Sequence, residues 1–224
     1  MLSGEEWEVI GLSLRVALFC VILTLPTAVA VGWLLARREF RGKLLLDGIF
    51  HLPLVLPPVV TGYLLLLLFG RRGLFGPLLD TFGIQLAFDF KGAVLASAVV
   101  AFPLVLRAVR LGIEEIDPRL EQIARTLGAS PVRAFATVTL RLAAPAMWVG
   151  GLLAFARSLG EFGATITFVS NIAGQTRTIP SAIYTFLNQP GGDEGALRLV
   201  ILSVVISFSA LLGSEWAARR SRRR

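Results

Sequence analysis

The chain of 224 residues contains one cysteine, Cys20, and one histidine, His51. A single cysteine forms no internal disulfide. So little thiol and imidazole also excludes the usual His/Cys metal site, and no metal site is expected. Cys–His and Ser–His–Asp arrangements have almost nothing to work with, so no catalytic residue is assigned and the chain is not expected to be an enzyme. No G-x-x-x-x-G-K-[ST] stretch occurs, which removes the P-loop route to ATP; if the chain uses energy, a partner supplies it. Charge is scarce as well, at 17% of residues. The net charge of +7 is not a nucleic-acid footprint, because basic and aromatic residues do not interleave as they do on single-strand binders.

What is present is apolar. The composition is 55% hydrophobic, and several windows of about 20 residues, the length a helix needs to cross a hydrocarbon core, hold few or no charges. In lipid every backbone N–H and C=O must be satisfied internally, so such runs form helices. The chain therefore reads as an all-α integral membrane protein embedded in a lipid bilayer.

Five runs are long enough to span, at about Val9 to Ala36, Ile49 to Phe69, Gly92 to Ala108, Leu142 to Leu159 and Ala196 to Ala218. The first resembles a signal-peptide core ending in Ala28-Val29-Ala30, but its leader carries Glu5, Glu6 and Glu8. A signal peptide is basic there, so the run reads as a retained span with a kink at Pro26. The second contains 51-HLPLVLPPVVTGY-63. Pro53, Pro57, Pro58 and Gly62 predict an irregular or broken helix, which a membrane tolerates only against protein or a water-filled cavity. That is a first sign of an enclosed pathway. The third run carries Ala93, Ala96 and Ser97, small residues that permit close helix packing.

Basic residues set the orientation. Segments 37–43, 107–141 and 219–224 hold four, six and five of them, whereas 1–8, 70–91 and 161–195 hold none, three and one. The positive-inside rule places the amino terminus outside and the carboxyl terminus in the cytoplasm. About five spans follow, or six if 161–194 re-enters the membrane. Trp33 and Trp216 sit just inside arginine clusters, where interfacial anchors are expected.

One polar stretch interrupts this pattern, 117-DPRLEQIARTLGASP-131. Asp117 suits an N-cap and Pro118 the first helical position; Gly128 suits the left-handed residue that closes a helix. Ser130 and Pro131 repeat the start signal for a second helix, 132-VRAFATVTLRL-142, running into the fourth span. The segment 107–141 is thus read as a cytoplasmic loop carrying a rigid helix at about 118–127, roughly 15 Å long. Which face a partner would grip stays open at this point: the apolar stripe through Leu120, Ile123 and Leu127 could pack on the chain's own spans, leaving Glu121 and Arg125 for the partner.

Glu121, Ala124, Gly128 and the later Pro145 resemble the E-A-A-x-x-x-G motif of ABC importer membrane subunits. Counted from Gly128, the motif's glutamate and first alanine fall on Gln122 and Ile123, which depart from it, and Glu121 stands one place earlier. In that family the motif is the coupling helix that docks into the ATPase subunit. The resemblance implies docking residues Glu121, Ala124, Arg125 and Gly128. The stretches 51-HLPLVLPPVVTGYLLL-66 and 153-LAFARSLGEFGATITFVSNIAGQTRTIPSAIYT-185 resemble bacterial molybdate permeases; sulfate/thiosulfate permeases share only the A-R-x-L-G-E-[FY]-G element. The likeness implies a single permease domain over 1–224 with the type I ABC importer fold, in the bacterial inner membrane. It also implies a homodimer, two cytoplasmic ATPase subunits that bind the ATP, and a periplasmic oxyanion-binding protein. The chain itself is expected to hold no cofactor.

Candidate pathway or gate residues are Arg157, Ser158, Glu161, Thr165, Thr167 and Ser170, with Asn171 beside them. Arg157 and Glu161, four residues apart, share a helix face. Ionisable residues within a membrane mark function by default, yet a mutually neutralising pair that orients the loop also fits. The hydroxyls offer donors to a passing oxyanion, and they equally suit helix packing. His51 reads as an interface residue or as a proton relay. No dense basic cluster lies within the apolar runs, which suits a conduit whose specificity resides elsewhere.

Overall fold

The structure, a computed structural model, describes residues 3–222; side chains at 210, 211 and 214–222 lie outside the described set. Trp216 and the terminal arginine cluster fall there. All regular structure among the described residues is helical. The first helix, α1 (Gly4–Arg37), opens with a capping box: Ser3 Oγ accepts from Glu6 N at 3.2 Å and Ser3 N donates to Glu6 Oε2 at 2.6 Å. These two bonds satisfy donors that no helical carbonyl reaches. The helix continues through Pro26.

The second apolar run is two helices, α2 (Lys43–Val55) and α3 (Pro58–Phe69), bent by 118° at a break of two residues. Pro57 and Pro58 cause the break. Neither can donate a backbone N–H, and Pro58 at the first position of α3 needs none. A short α4 (Gly76–Thr81) follows. Next comes α5 (Phe90–Glu114), capped by Asp89, whose side chain accepts from Lys91 N at 2.9 Å.

The polar stretch forms α6 (Pro118–Thr126) and then α7 (Pro131–Ala134). A π-helical turn, Phe135–Thr139, joins α7 to α8 (Leu140–Leu159). Two short helices follow, α9 (Gly163–Val169) and α10 (Ile179–Leu187), and then the long α11 (Asp193–Arg222). Among the described residues three helices are long and apolar enough to span: α1, α5 and the continuous Pro131–Leu159. The bent pair makes a fourth if counted as one span. The fifth run falls on α11, whose last turns carry side chains outside the described set. Neither α9 nor α10 is long enough to cross.

The core forms where α5 lies between α1 and α8. Cys20, Ala28 and Leu35 of α1 meet Ala98, Val105, Val109 and Ile113 of α5 and Ala143 and Ala154 of α8. Between lipid-bathed helices apolar burial gives little drive, so small residues that allow close contact matter most. Gly112 illustrates this, since a Cβ there would overlap Ala146.

A second cluster joins α3 and α9 through Leu65, Ala164, Phe168 and Val169. Here the backbones touch. A Cβ on Gly62 would lie 2.5 Å from the Ala164 carbonyl oxygen, and one on Gly163 would lie 2.7 Å from Pro58 Cβ. Gly62→Val is therefore expected to prevent α3 from seating on α9. Detergent-extracted yield should fall severalfold and a fluorescence-detected unfolding temperature should drop; an unchanged profile would contradict the close contact.

The ends of the bundle differ in charge. Arg37 of α1, Arg110 of α5 and the start of α2 gather at one end, where Arg110 pairs with Asp47 at 2.9 Å and with Glu114 at 2.7 Å. His51 joins them, its Nδ1 3.2 Å from Asp47 Oδ1. At the opposite end Glu6, only 1% exposed, accepts from Arg198 Nε at 2.8 Å, and Ser13 Oγ accepts from Ile179 N at 2.8 Å. Arg177 pairs with Glu5 beside them. These bonds tie the starts of α10 and α11 to α1.

Trp33 is half-buried, edge-on to Phe135 with centroids 5.8 Å apart, and its indole nitrogen is buried. The ring packs α1 against the π turn, with Arg38 5.7 Å from its centroid.

Candidate functional site

Two regions carry the candidate residues, one at each end of the Pro131–Leu159 helix. At the basic end, α6 is held by its caps. Asp117 accepts from Arg119 N at 2.9 Å, and Gly128 adopts φ +91°, a left-handed conformation that strains other residues. No residue of α6 is buried.

Of the two arrangements open to α6, the structure shows the one with the apolar stripe outward. Leu120, Ile123 and Leu127 are 42%, 53% and 83% exposed, and Val132 just beyond is 77% exposed. The stripe therefore faces largely away from the chain's own spans. Glu121 turns inward, accepting a hydrogen bond from Thr139 and lying 3.9 Å from Arg37 Nε. The physical reason is the donor pair: a hydroxyl and a guanidinium hold a carboxylate better than they hold leucine. Of the other predicted docking residues, Arg125 and Gly128 are exposed and Ala124 is half-buried.

At the far end, Arg157 Nη1 meets Glu161 Oε2 at 2.8 Å. The Glu161 side chain is 2% exposed and that of Arg157 30%. Glu161 Oε1 accepts from Ala164 N at 2.8 Å, satisfying a free donor at the start of α9. One carboxylate thus joins α8 to α9, and the neutralising pair is present as geometry. Arg157 keeps an open face all the same.

The candidate hydroxyls are mostly turned back on their own helices. Thr165 Oγ1 donates to Phe162 O at 2.9 Å, and Thr167 Oγ1 to Gly163 O at 2.8 Å. Ser158 is buried beside Cys20. Ser170, which ends α9, has φ 64° and ψ −157°, a region that costs a non-glycine residue about 1–3 kcal/mol. Asn171 bridges outward, donating to Thr185 Oγ1 at 2.6 Å and accepting from Arg177 Nε at 3.1 Å. The structure brings Arg157, Glu161 and Thr165 together and leaves Ser170 at the other end of α9.

Three polar groups escaped the sequence reading. Arg15 lies within the first apolar run on an exposed face, its Nε donating to Gly11 O at 3.2 Å; a lone cation in that run was its signal. Arg37 and Thr139 had no local signal, since their partners lie far along the chain.

The two stretches that carry the permease resemblance, 51–66 and 153–185, meet in space where Gly62 faces Ala164. A family profile described as "Binding-protein-dependent transport system inner membrane component" matches residues 28–223. The chain belongs to that family. As a family member it is a multi-pass inner-membrane protein. It is 58% identical over its full length to the "Molybdenum transport system permease protein ModB" of Escherichia coli strain K12, covering 98% of that protein. The Haemophilus influenzae protein of the same name is 56% identical over 98% of this chain and 96% of its own. A "Sulfate transport system permease protein CysT" from Salmonella typhimurium is 34% identical over 92% of this chain and 79% of its own.

Solved structures share the family fold. An alginate ABC transporter bound to its pentasaccharide-loaded periplasmic protein aligns with TM-score 0.77 at 16% identity, over 97% of this chain and 80% of that one. An amino acid ABC transporter aligns with TM-score 0.64 at 19% identity, over 96% and 94%. The family member described here therefore has the all-helical fold of ABC transporter membrane chains.

Proposed function

We propose that this chain is the membrane channel subunit of an ATP-driven importer that moves molybdate from the periplasm to the cytoplasm by alternating access. The observation that carries the substrate is the full-length 58% identity to a molybdenum permease, against 34% to a sulfate permease. The working unit is two copies of this chain, two cytoplasmic ATPase subunits and a periplasmic oxyanion-binding protein. The chain is non-catalytic and holds no cofactor; ATP binds to the partner.

In this reading 107–141 is the cytoplasmic loop of a single permease domain over 1–224, and α6 is the coupling helix. Its exposed stripe of Leu120, Ile123 and Leu127, with Ala124, Arg125 and Gly128 around it, enters the ATPase. Arg157 is the charge an oxyanion passes, because its face is open while Thr165 and Thr167 use their protons on backbone carbonyls. Weak contacts of that kind suit conduction, which needs release as much as capture.

Uptake of labelled molybdate by proteoliposomes holding the whole complex tests the substrate. Unlabelled tungstate, a nearly isosteric dianion, should compete, and a hundredfold excess of sulfate should not. Equal competition by sulfate would move the assignment to the sulfate class.

A further inference from the structure

We propose that Arg37, Glu121 and Thr139 form the joint that transmits motion from α6 to the membrane helices. The proposal rests on the reading of α6 as the ATPase-docking helix. Arg37 is the last residue of α1, and its Nη2 donates to Ile116 O at 2.8 Å, fastening α1 to the turn between α5 and α6. Its Nε is buried without a hydrogen-bond partner and lies 3.9 Å from Glu121 Oε1. That same carboxylate oxygen accepts from the hydroxyl of Thr139, which is 0% exposed and ends the π turn leading into α8.

Three side chains thus connect α1, the α5–α6 turn, α6 and α8. Among the described residues Glu121 is the one side chain of α6 that bonds to another helix. Without it, a displaced α6 would roll on its exposed apolar face and the displacement would be lost locally. The guanidinium also has room to respond. A charge-assisted N–H···O bond closes at about 2.7–2.9 Å, so a shift of about 1 Å brings Arg37 Nε into bonding distance. The π turn supplies the compliance, because its widened ladder can tighten toward α-helical geometry. Glu121 is a positioning residue here, acting through Arg37 and Thr139 and not by touching the ATPase.

Glu121→Gln keeps the size of the side chain and a carbonyl for Thr139 but loses the ion pair. Thr139→Val keeps the volume and loses the hydroxyl. In proteoliposomes holding the whole complex, the readout is ATP hydrolysed per molybdate imported. Each variant should raise that ratio at least fivefold with ATPase co-purification unchanged, Thr139→Ser should restore it, and combining the two variants should add little. An unchanged ratio would overturn the proposal. So would release of the ATPase by Glu121→Gln, because Glu121 would then be a docking contact. Failure of the docking reading shows separately, as an ATPase that stays bound when Leu127 is replaced by aspartate.

Discussion

Leu127→Asp is expected to release the ATPase while leaving the membrane subunit folded. Leu127 is 83% exposed, and surface substitutions of that kind stay within about 0.5 kcal/mol of parent stability. On the proposed docking face the same side chain lies in the exposed stripe with Ile123 and Leu120, which a docked ATPase would cover. Central apolar anchors carry about 2 kcal/mol or more of binding energy, which is roughly 30-fold in affinity. An aspartate adds the cost of burying an unpaired charge. Affinity purification should recover the membrane subunit at parent yield with the ATPase reduced at least tenfold. Arg125→Ala, at the polar edge of the same helix, should reduce it far less. An ATPase that co-purifies normally with the Leu127 variant would contradict the assignment of this face.

Arg157→Ala is expected to remove the folded complex from the membrane, not merely to slow transport. The substitution leaves the Glu161 carboxylate, 2% exposed, without its cation. Breaking a buried pair from one side costs about 3–5 kcal/mol, a large share of the roughly 5–15 kcal/mol that holds a domain. Arg157→Met combined with Glu161→Gln removes both charges and keeps a carbonyl to accept from Ala164 N. That double variant should recover parent yield and thermal stability, and uptake should remain at least tenfold below parent because the open cation is gone. A single variant as stable as the parent would show that the pair does not hold α8 to α9. Parent-level uptake by the double variant would assign Arg157 to structure alone.

Local chemistry in the sequence anticipated much of this architecture. The Asp117-Pro118 start and the Gly128 stop bound α6 within a residue or two, because caps act on neighbouring backbone groups. Pro57 and Pro58 announced the break that became a 118° bend. What remained hidden depends on residues far apart in the chain. Which way the stripe on α6 faces could not be read locally, although amphipathic helices usually turn theirs inward. Arg37 and Thr139, 84 and 18 positions from Glu121, turned it the other way. The packing of Trp33 on Phe135, about a hundred residues away, was hidden for the same reason. The hydroxyls of Thr165 and Thr167 looked available until their bonds to Phe162 O and Gly163 O were seen, a choice that no spacing reveals.

The central claim is that this chain is a passive conduit moved from the cytoplasmic side by a partner that burns ATP. Omission of that partner tests it most directly. Proteoliposomes containing the membrane subunit and binding protein alone should take up no labelled molybdate under any imposed ion gradient. Adding the ATPase subunits with internal ATP should start uptake. Sustained uptake without the ATPase, driven by a proton or sodium gradient, would contradict the account and identify the chain as a secondary transporter.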